Sequence, residues 1–420
     1  MTPRREPAIP AARAFAGMSG VSTAAWDVLA PPGIDHAHAY LTFREQVEPG
    51  DPVLVVAGDA TGPAAAAHGS WTTPRTALFS HPWKMLASPQ FARLAGPVRP
   101  GGTGEPDSAE TEHRQLLHAL TPPGPPARSD GPATVAALTS ALGEVVVARE
   151  FDTSSVLLRP GLGAAARSAA LAAVLLGLQD VARSRGGAVA LPYVRPDDAE
   201  LRQALAAAGF RGGALTAVSV FDLAGSYEDF VAGLHRRQRR RYRAEPAAFA
   251  AAGLRTGTVE LTGSLDRLIE LEAANAERYG GTPDRARLTG VRTQMARLLG
   301  SALRVPVAER DGEIVACCID LTDSLSYLGL VYGCDYSVPE HRLAYRQLAF
   351  YEPLSWAADH GLAQIRLGFE AFAPKLYRGA RLEPRQTWLW APGQSAMAGL
   401  GALLDFLSAR TAAYLAALGR

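Results

Sequence analysis

Lysine is the rare cation of this chain, and its two positions are the first candidates for chemistry. The 420 residues carry 42 basic side chains against 41 acidic ones, and lysine occurs only at Lys84 and Lys375. An ammonium group is more compact than a guanidinium and gives up its proton more readily. Each lysine therefore reflects either chance retention or a position that requires an ammonium group, and the sequence leaves both interpretations open.

Lys375 lies in a polar segment that follows a predicted strand at residues 363–367. This segment leaves the carboxyl end of the strand, where α/β sheets place their ligands. Glu370, Lys375 and Arg378 project from the predicted loop and short helix. They could simply pin the loop through an ion pair. Alternatively, Lys375 stabilises negative charge on an attacked carbonyl or holds a phosphate, while Glu370 orients it or accepts a proton.

A second constellation is an arginine run on a predicted helix. Six arginines lie within the nine residues 235–243. They fall on two helical faces, Arg237, Arg240 and Arg241 on one, and Arg236, Arg239 and Arg243 on the other. Like charges at these spacings repel, so the run favours a nearby anion, and phosphate matches the forked donors of arginine. A solvated face, or salt bridges to an acidic surface, is the alternative.

Composition restricts the class of protein. A net charge of +1 excludes a globally basic nucleic-acid coat and a globally acidic chaperone, so a charged partner must meet a local patch. Three cysteines without a CxxC pair and nine scattered histidines support neither a disulfide framework nor a metal site. Without an apolar run of about 18 residues or a clear signal peptide, we expect a cytoplasmic protein with no membrane insertion.

These residues must be positioned by two domains, because 48% hydrophobic residues in 420 exceed what one core usually holds. Both halves predict strands in a meander, then a helix, a strand, a short helix and a final strand. We expect an α/β protein with domains at residues 1–225 and 226–420, each a mixed twisted sheet flanked by helices. Residues 97–132, rich in Pro, Gly and Ser, predict a mobile insertion in the first domain.

The motifs carry a family resemblance. Residues 236–253 resemble the basic helix of FemAB-like proteins, and residues 345–362 fit the family's aromatic-rich helix. The signature Glu-Ala, Lys, Arg-Gly, Pro and Thr of an uncharacterised FemAB-like branch associated with peptidoglycan biosynthesis resembles Glu370-Ala, Lys375, Arg378-Gly, Pro384 and Thr387. The order of elements in both halves is similar to that of the GNAT superfamily of acyltransferases. The FemAB resemblance spans roughly residues 226–391.

The resemblance implies tandem GNAT-like domains that transfer an acyl group to an amine. Fem transferases take an amino acid from aminoacyl-tRNA and attach it to a peptide, and a lysine near the position of Lys375 assists the tetrahedral transition state. The resemblance thus implies Lys375 and Glu370 as catalytic residues, an aminoacyl-tRNA donor, a small-molecule or peptide-like amine acceptor, and no cofactor or metal. The candidate donor- and substrate-binding residues are Arg236, Arg237, Arg240, Arg241, Arg378, Tyr345 and Trp83. Trp83 comes from the polar and aromatic cluster at residues 81–84, which either lines the acceptor groove or caps a helix.

Two other functions remain open. In an acyl-coenzyme A N-acyltransferase of the same fold, a glycine-containing loop before a helix binds the pyrophosphate. Residues 159–164 (RPGLGA) have that place in the first half, although a tight turn also needs glycine for steric reasons. The matching residues 335–341 of the second half lack glycine, which argues against coenzyme A there. The other alternative is a non-catalytic, RNA-binding tandem GNAT-like protein. The oligomeric state stays open.

Overall fold

The computed structural model describes residues 11–29, 33–59, 62–88, 108–121, 131–154, 156–223, 225–325, 327–369 and 371–418. They form two compact units. The first unit takes its described residues from Met1–Pro31, Glu48–Ala217 and Pro384–Arg420, and the second from Pro32–Val47 and Val218–Glu383. This division differs from the expected linear one, because the C-terminal segment belongs to the first unit. Leu400, Leu403, Leu404 and Leu407 of that segment are buried in the first unit's core.

Fourteen strands are described. They are β1 (Ala11–Phe15), β2 (Pro52–Asp59), β3 (Gly62–Trp71), β4 (Val145–Val147), β5 (Val156–Leu158), β6 (Ala188–Val194), β7 (Arg211–Asp222), β8 (Arg255–Thr258), β9 (Leu303–Arg304), β10 (Pro306–Arg310), β11 (Glu313–Thr322), β12 (Tyr327–Cys334), β13 (Gln364–Arg366) and β14 (Arg381–Trp390).

The described α-helices are α1 (Thr23–Asp27), α2 (His38–Val47), α3 (Pro82–Ala87), α4 (Ser108–Leu120), α5 (Gly131–Leu142), α6 (Ala164–Ser184), α7 (Ala199–Ala207), α8 (Tyr227–Gly233), α9 (Arg236–Ala251), α10 (Leu265–Arg278), α11 (Arg285–Leu299), α12 (His341–Arg346), α13 (Glu352–Asp359), α14 (Phe372–Leu376) and α15 (Gln394–Leu418). A π-helical turn at Gln347–Tyr351 joins α12 to α13.

Each unit is built on a mixed sheet, which confirms the predicted fold class. In the first unit the strand order is β1-β2-β3-β4-β6-β14, with β14 counted from Pro384. In the second unit it is β7-β13-β12-β11-β10-β8, with β7 counted from Val218. The pairing is antiparallel except between β4 and β6 and between β12 and β13. Helices pack on these sheets. For example, Leu171, Val174 and Leu178 of α6 are buried in the first core.

Helix α6 also has the length and composition of a possible membrane span, the one such helix found among the described residues. Its packing against the first sheet accounts for its apolar character, because core helices share this composition. A cytoplasmic location stays a prediction.

The segment at residues 97–132 is not wholly a mobile insertion. Helix α4 lies inside it, with Ala109, His113, Leu117 and Leu120 buried. A ring nitrogen of His113 lies 2.7 Å from the Leu86 carbonyl oxygen. The expectation was wrong here because the buried side chains recur at helical spacing within a polar segment. The rest of the segment, apart from residues 121, 131 and 132, lies outside the described residues.

The arginine run is helical, but it belongs to a separate helix that passes through Pro246. Helix α8 ends at Gly233, and α9 begins after His235, whose ring accepts a hydrogen bond from the main chain of Arg237. Proline disfavours a helix interior, yet α9 continues through Pro246 to Ala251. One turn before the proline, the Tyr242 hydroxyl donates to the Arg378 carbonyl at 2.8 Å and ties α9 to the segment after α14.

Candidate active site

The carboxyl end of β13 carries an irregularity that positions Lys375. The main-chain N–H of Leu367 donates to Ser219 of β7, but the Ser219 N–H donates to Gly368 and not to Leu367. Gly368 has a φ of 69°, the left-handed conformation typical of such bulges. The Leu367 carbonyl is thus released from the ladder, and the Lys375 ammonium donates to it. Lys375 is buried rather than projecting, at 8% exposure.

The sheet opens at this point. Strands β12 and β13 run parallel and share one register pair, Leu328 with Arg366. Residues 329–334 of β12 continue past the end of β13, while Leu367 turns toward β7. The lysine therefore lies at the carboxyl end of β13, where parallel neighbours diverge. Ligands of α/β sheets bind at such ends.

A buried ion pair holds α9 to the loop that carries Lys375. Arg378 is 4% exposed, and its guanidinium donates to Glu245 Oε2 at 2.5 Å, to the Tyr351 hydroxyl at 3.2 Å and to the Pro374 carbonyl at 2.9 Å. Burial opposes ionisation of Glu245, but hydrogen bonds from Tyr351 and Arg378 outweigh it and hold the pKa of Glu245 below its usual range. The carboxylate is therefore ionised at neutral pH.

Next to this ion pair lies a cavity of about 320 Å³. Its lining residues are Arg241, Glu245, Arg342, Tyr345, Arg346, Pro374, Tyr377 and Arg378. Four guanidinium groups thus face one carboxylate. Arg346 lies 3.6 Å from Glu245, and the Arg241 guanidinium stacks 5.2 Å from the centre of the Tyr377 ring. Within the described part of the chain, neither Arg241 nor Arg342 has a carboxylate at ion-pair distance. The cavity has an excess of positive charge suited to an anion.

The same holds for the solvent face of α9. Arg236, Arg237, Arg240 and Arg243 are exposed, and none of them pairs with a carboxylate among the residues the structure describes. Arg239 differs, because its guanidinium donates to the carbonyls of Ala232 and Leu234. Intramolecular salt bridges therefore do not neutralise the run. A solvated face and an anion-binding face are the two interpretations that remain.

A buried carboxylate and an imidazole lie next to β13, and neither residue was among the predicted site residues. Asp35 is 3% exposed and accepts from the Arg366 guanidinium at 2.9 Å, and the His36 ring Nδ1 lies 3.0 Å from its other oxygen. Burial opposes ionisation of Asp35, but His36 and Arg366 outweigh it and hold its pKa well below the usual range. An imidazole oriented by a carboxylate is a common proton carrier. The local sequence does not indicate this pair, because residues 32–47 belong to the second unit although they are distant from the rest of it in the chain.

The structure brings together part of the predicted site. Arg241, Arg378 and Tyr345 line one cavity, and Lys375 follows Pro374 of its wall. Tyr345 stacks edge-on against Tyr332, with ring centres 5.1 Å apart. Glu370 lies outside the described residues. Arg236, Arg237 and Arg240 lie on exposed α9.

Trp83 does not fit its expected role. It belongs to the first unit, has no exposed surface and donates its indole N–H to the Gly143 carbonyl at 3.0 Å. A side chain packed in this way cannot line a substrate groove. Of the two interpretations of residues 81–84, the position of Trp83 in α3 favours the structural one, because an aromatic side chain there packs on the buried face of the helix.

The two loops considered for coenzyme A differ in the structure. In the first unit, the loop from β5 leads into α6, Gly161 has a φ of 79°, and no side chain caps the helix. In the second unit, α12 begins after Glu340, whose carboxylate accepts from Arg310 at 2.7 Å. A carboxylate at that end of a helix disfavours a second anion there.

Comparison with known proteins gives one family match and several structural similarities. Residues 235–375 match a family model described as an acetyltransferase (GNAT) domain. The fold is similar to that of FemX, with a TM-score of 0.54 and 9% identity over 90% of this chain and 96% of that one. No curated protein matches the chain.

Two further structures are similar at lower scores. A tandem GNAT protein from the clavulanic acid biosynthesis pathway has 13% identity and a TM-score of 0.47, covering 91% of this chain and 98% of its own. The C-terminal domain of a putative lysylphosphatidylglycerol synthetase from Agrobacterium fabrum has 14% identity and a TM-score of 0.44, covering 62% and 81%.

The matched domain at residues 235–375 agrees with the expected resemblance to the GNAT superfamily, and the similarity to FemX shows that the fold is shared. The match indicates a GNAT-type acyltransferase domain at residues 235–375.

Proposed function

We propose that the protein transfers an aminoacyl group from aminoacyl-tRNA to the amine of a small-molecule or peptide-like acceptor and so forms an amide. The observation that carries this proposal is the set of arginines in the second unit that form no salt bridge with a described carboxylate. Exposed arginines on α9 and the guanidinium groups of the 320 Å³ cavity offer donors to a phosphate backbone. A donor that carries many phosphates explains so much unpaired positive charge better than a small thioester does.

The chemistry needs no covalent intermediate. The acceptor nitrogen attacks the ester carbonyl of the charged tRNA, the carbon–oxygen bond to the terminal ribose breaks, and the ribose hydroxyl leaves. The nitrogen becomes positively charged as it bonds to the carbonyl carbon, a base takes one of its protons, and the departing ribose oxygen takes up a proton to become the hydroxyl. Lys375 stabilises the oxyanion of the tetrahedral intermediate. Glu370 is the base that the family signature supports, and His36, oriented by Asp35, is a second candidate from the geometry.

One observation favours a second candidate, an acyl-coenzyme A N-acyltransferase that works in the first unit. The N-terminus of α6 follows a strand and a glycine loop and has no acidic residue in its first turn. Main-chain N–H groups at such a position hold pyrophosphate well. The loop is a steric turn under the first proposal and a donor site under the second.

The test uses the full chain with a mixture of transfer RNAs charged with labelled amino acids and a panel of primary amines. We expect amine-dependent loss of label from the RNA and an amide product that resists mild alkali, which cleaves esters. Acetyl-coenzyme A with the same amines should release no thiol. Thiol release with intact charged tRNA would support the second candidate, and RNA binding without either reaction would support a non-catalytic RNA-binding protein.

A matched pair of variants separates a specific arginine effect from loss of charge. Arg237→Gln with Arg240→Gln removes two exposed arginines of α9. Arg13→Gln with Arg287→Gln removes two exposed arginines elsewhere. The first pair should slow transfer at low donor concentration, and the second should leave it unchanged.

A further inference from the structure

The first unit contains a cavity that the proposed reaction does not use. Its volume is about 820 Å³, and it lies between the turn after β3, helix α3 and helix α5. Leu78, Ala87 and Val135 contribute apolar wall, and Thr72 and Thr139 contribute hydroxyl groups. Cavities of this size, mostly apolar with a few polar groups, accommodate small organic ligands.

One fixed positive charge lies in the wall. Lys84 lines the cavity, and its ammonium donates to the carbonyls of Pro74 and Thr76 at 2.8 and 2.6 Å. Two neutral acceptors hold the group in place without cancelling its charge. Glu144 also lines the cavity but is exposed. Within the described residues, no carboxylate, Glu144 included, lies at ion-pair distance from Lys84, so no salt bridge there neutralises its charge.

A buried imidazole lies beside this ammonium. His81 lines the cavity and is 4% exposed, and its Nδ1 has no hydrogen-bond partner in the described part of the chain. Burial, together with the neighbouring Lys84 charge, lowers the pKa of His81 to about 4. The ring is therefore neutral at physiological pH and can donate or accept one hydrogen bond. A buried polar atom without a partner costs free energy unless a ligand or water satisfies it.

We propose that this cavity binds a carboxylic acid with a large apolar body, with the carboxylate at Lys84 and His81 and the apolar body against Leu78 and Val135. The apolar wall selects the body of the ligand, and the fixed ammonium selects its charge. An amine of the same shape would meet Lys84 with like charge. This inference is independent of the aminoacyl transfer proposed for the second unit.

The test is calorimetric titration of the full chain with three ten-carbon ligands below their micelle concentrations: decanoate, decanol and decylamine. We expect one decanoate per chain, bound at least about 10-fold more tightly than decylamine, because the carboxylate accepts a charge-assisted hydrogen bond from Lys84 while the amine meets a like charge. Decanol should lie between them. Equal affinity for decanoate and decylamine, or the absence of saturable binding, would overturn the proposal.

Two variants locate the site. Lys84→Met should reduce the preference for decanoate over decylamine to about 3-fold or less, while decanol binding remains. Lys84→Met also removes two hydrogen bonds and can disturb the cavity wall, so a second variant leaves Lys84 intact. Val135→Trp fills the cavity and should abolish binding of all three ligands. Ala133→Trp, at an exposed position of the same helix, is its control and should bind as the parent does. Unchanged binding to Val135→Trp would place the ligand elsewhere and refute the assignment.

Discussion

Lys375 donates to the carbonyl that the β13 bulge releases, so its ammonium is fixed at the end of the strand. If it stabilises the oxyanion, Lys375→Met should lower single-turnover transfer by about 100-fold or more, the scale of removing one oxyanion donor, with little loss of donor binding. Quenched-flow measurement of amide formation and a filter-binding measurement of donor affinity separate the two effects.

Lys375→Arg distinguishes chemistry from loop pinning. A planar guanidinium can still reach a carbonyl but cannot take the compact position of an ammonium, so transfer should stay low. Transfer by Lys375→Arg at the parent rate would assign the lysine to holding the loop. The melting temperatures of both variants must be compared with the parent, because Lys375 is buried.

Asp320 should make the free energy of unfolding depend on pH. Asp320 on β11 is 2% exposed and accepts from the Tyr327 hydroxyl, and burial, reinforced by the nearby Glu352 charge, raises its pKa to about 8. The unfolded chain loses this proton near pH 4. Between these values the folded state binds more protons than the unfolded state, so this group's contribution to stability falls as the pH rises.

Asp320→Asn should remove that dependence, because the amide mimics the protonated acid. Urea unfolding at pH 5, 6.5 and 8 should show the variant gaining on the parent by up to about 1.4 kcal/mol per pH unit. Asp359→Asn, an exposed carboxylate, serves as the control. A constant difference between Asp320→Asn and the parent over this range would mean that Asp320 is ionised in the folded protein.

At the scale of elements, helix α9 offers its charge to a polyanion. If about three phosphates are neutralised, log K for charged tRNA should fall against log salt with a slope of about −2 to −3. Arg237→Gln with Arg240→Gln should flatten the slope by roughly 1 to 2, at about 0.7–0.9 per phosphate. The control pair at Arg13 and Arg287 should leave it unchanged. An unaltered slope for the α9 pair would assign the arginines to solvation.

Helix α4 lies in a segment whose composition resembles a linker, yet it contributes to the core. Leu117 and Leu120 are buried in the first core. Leu117→Ala should therefore destabilise the chain by about 2 kcal/mol or more, as expected for a buried leucine. Chemical denaturation measures the loss, and His118→Ala at an exposed neighbouring position should stay within about 0.5 kcal/mol of the parent. Equal stability of both variants would restore the interpretation of this segment as a mobile insertion.

At the scale of the whole molecule, local signals identified local structure. The apolar run at residues 188–194 is typical of a buried strand and forms β6. The Asp311-Gly312 pair is typical of a hairpin turn and joins β10 to β11, with positive φ at both residues. Pairings between distant segments were not predictable in this way. The ion pair between Glu245 and Arg378 spans 133 positions, and nothing local marks either residue as the other's partner.

The same limit applies to the candidate site. The arginine run and the rare Lys375 were visible because composition made them unusual. The Asp35–His36 pair was not visible, because neither residue is unusual in its own segment and only the fold brings them to Arg366. Burial explains the remaining error, since the sequence does not show whether Trp83 faces a groove or a core.

The proposed function requires that the acyl group come from charged tRNA. The most direct measurement places both donors in one mixture, with tritium on the amino acid of aminoacyl-tRNA and carbon-14 on the acetyl group of acetyl-coenzyme A, and follows the label into the amide of an added amine. We predict tritium in the product, at a rate that falls in Lys375→Met, and no carbon-14 above the protein-free control. Carbon-14 in the amide, with tritium still on the tRNA, would contradict the proposed function and show that acetyl-coenzyme A is the donor.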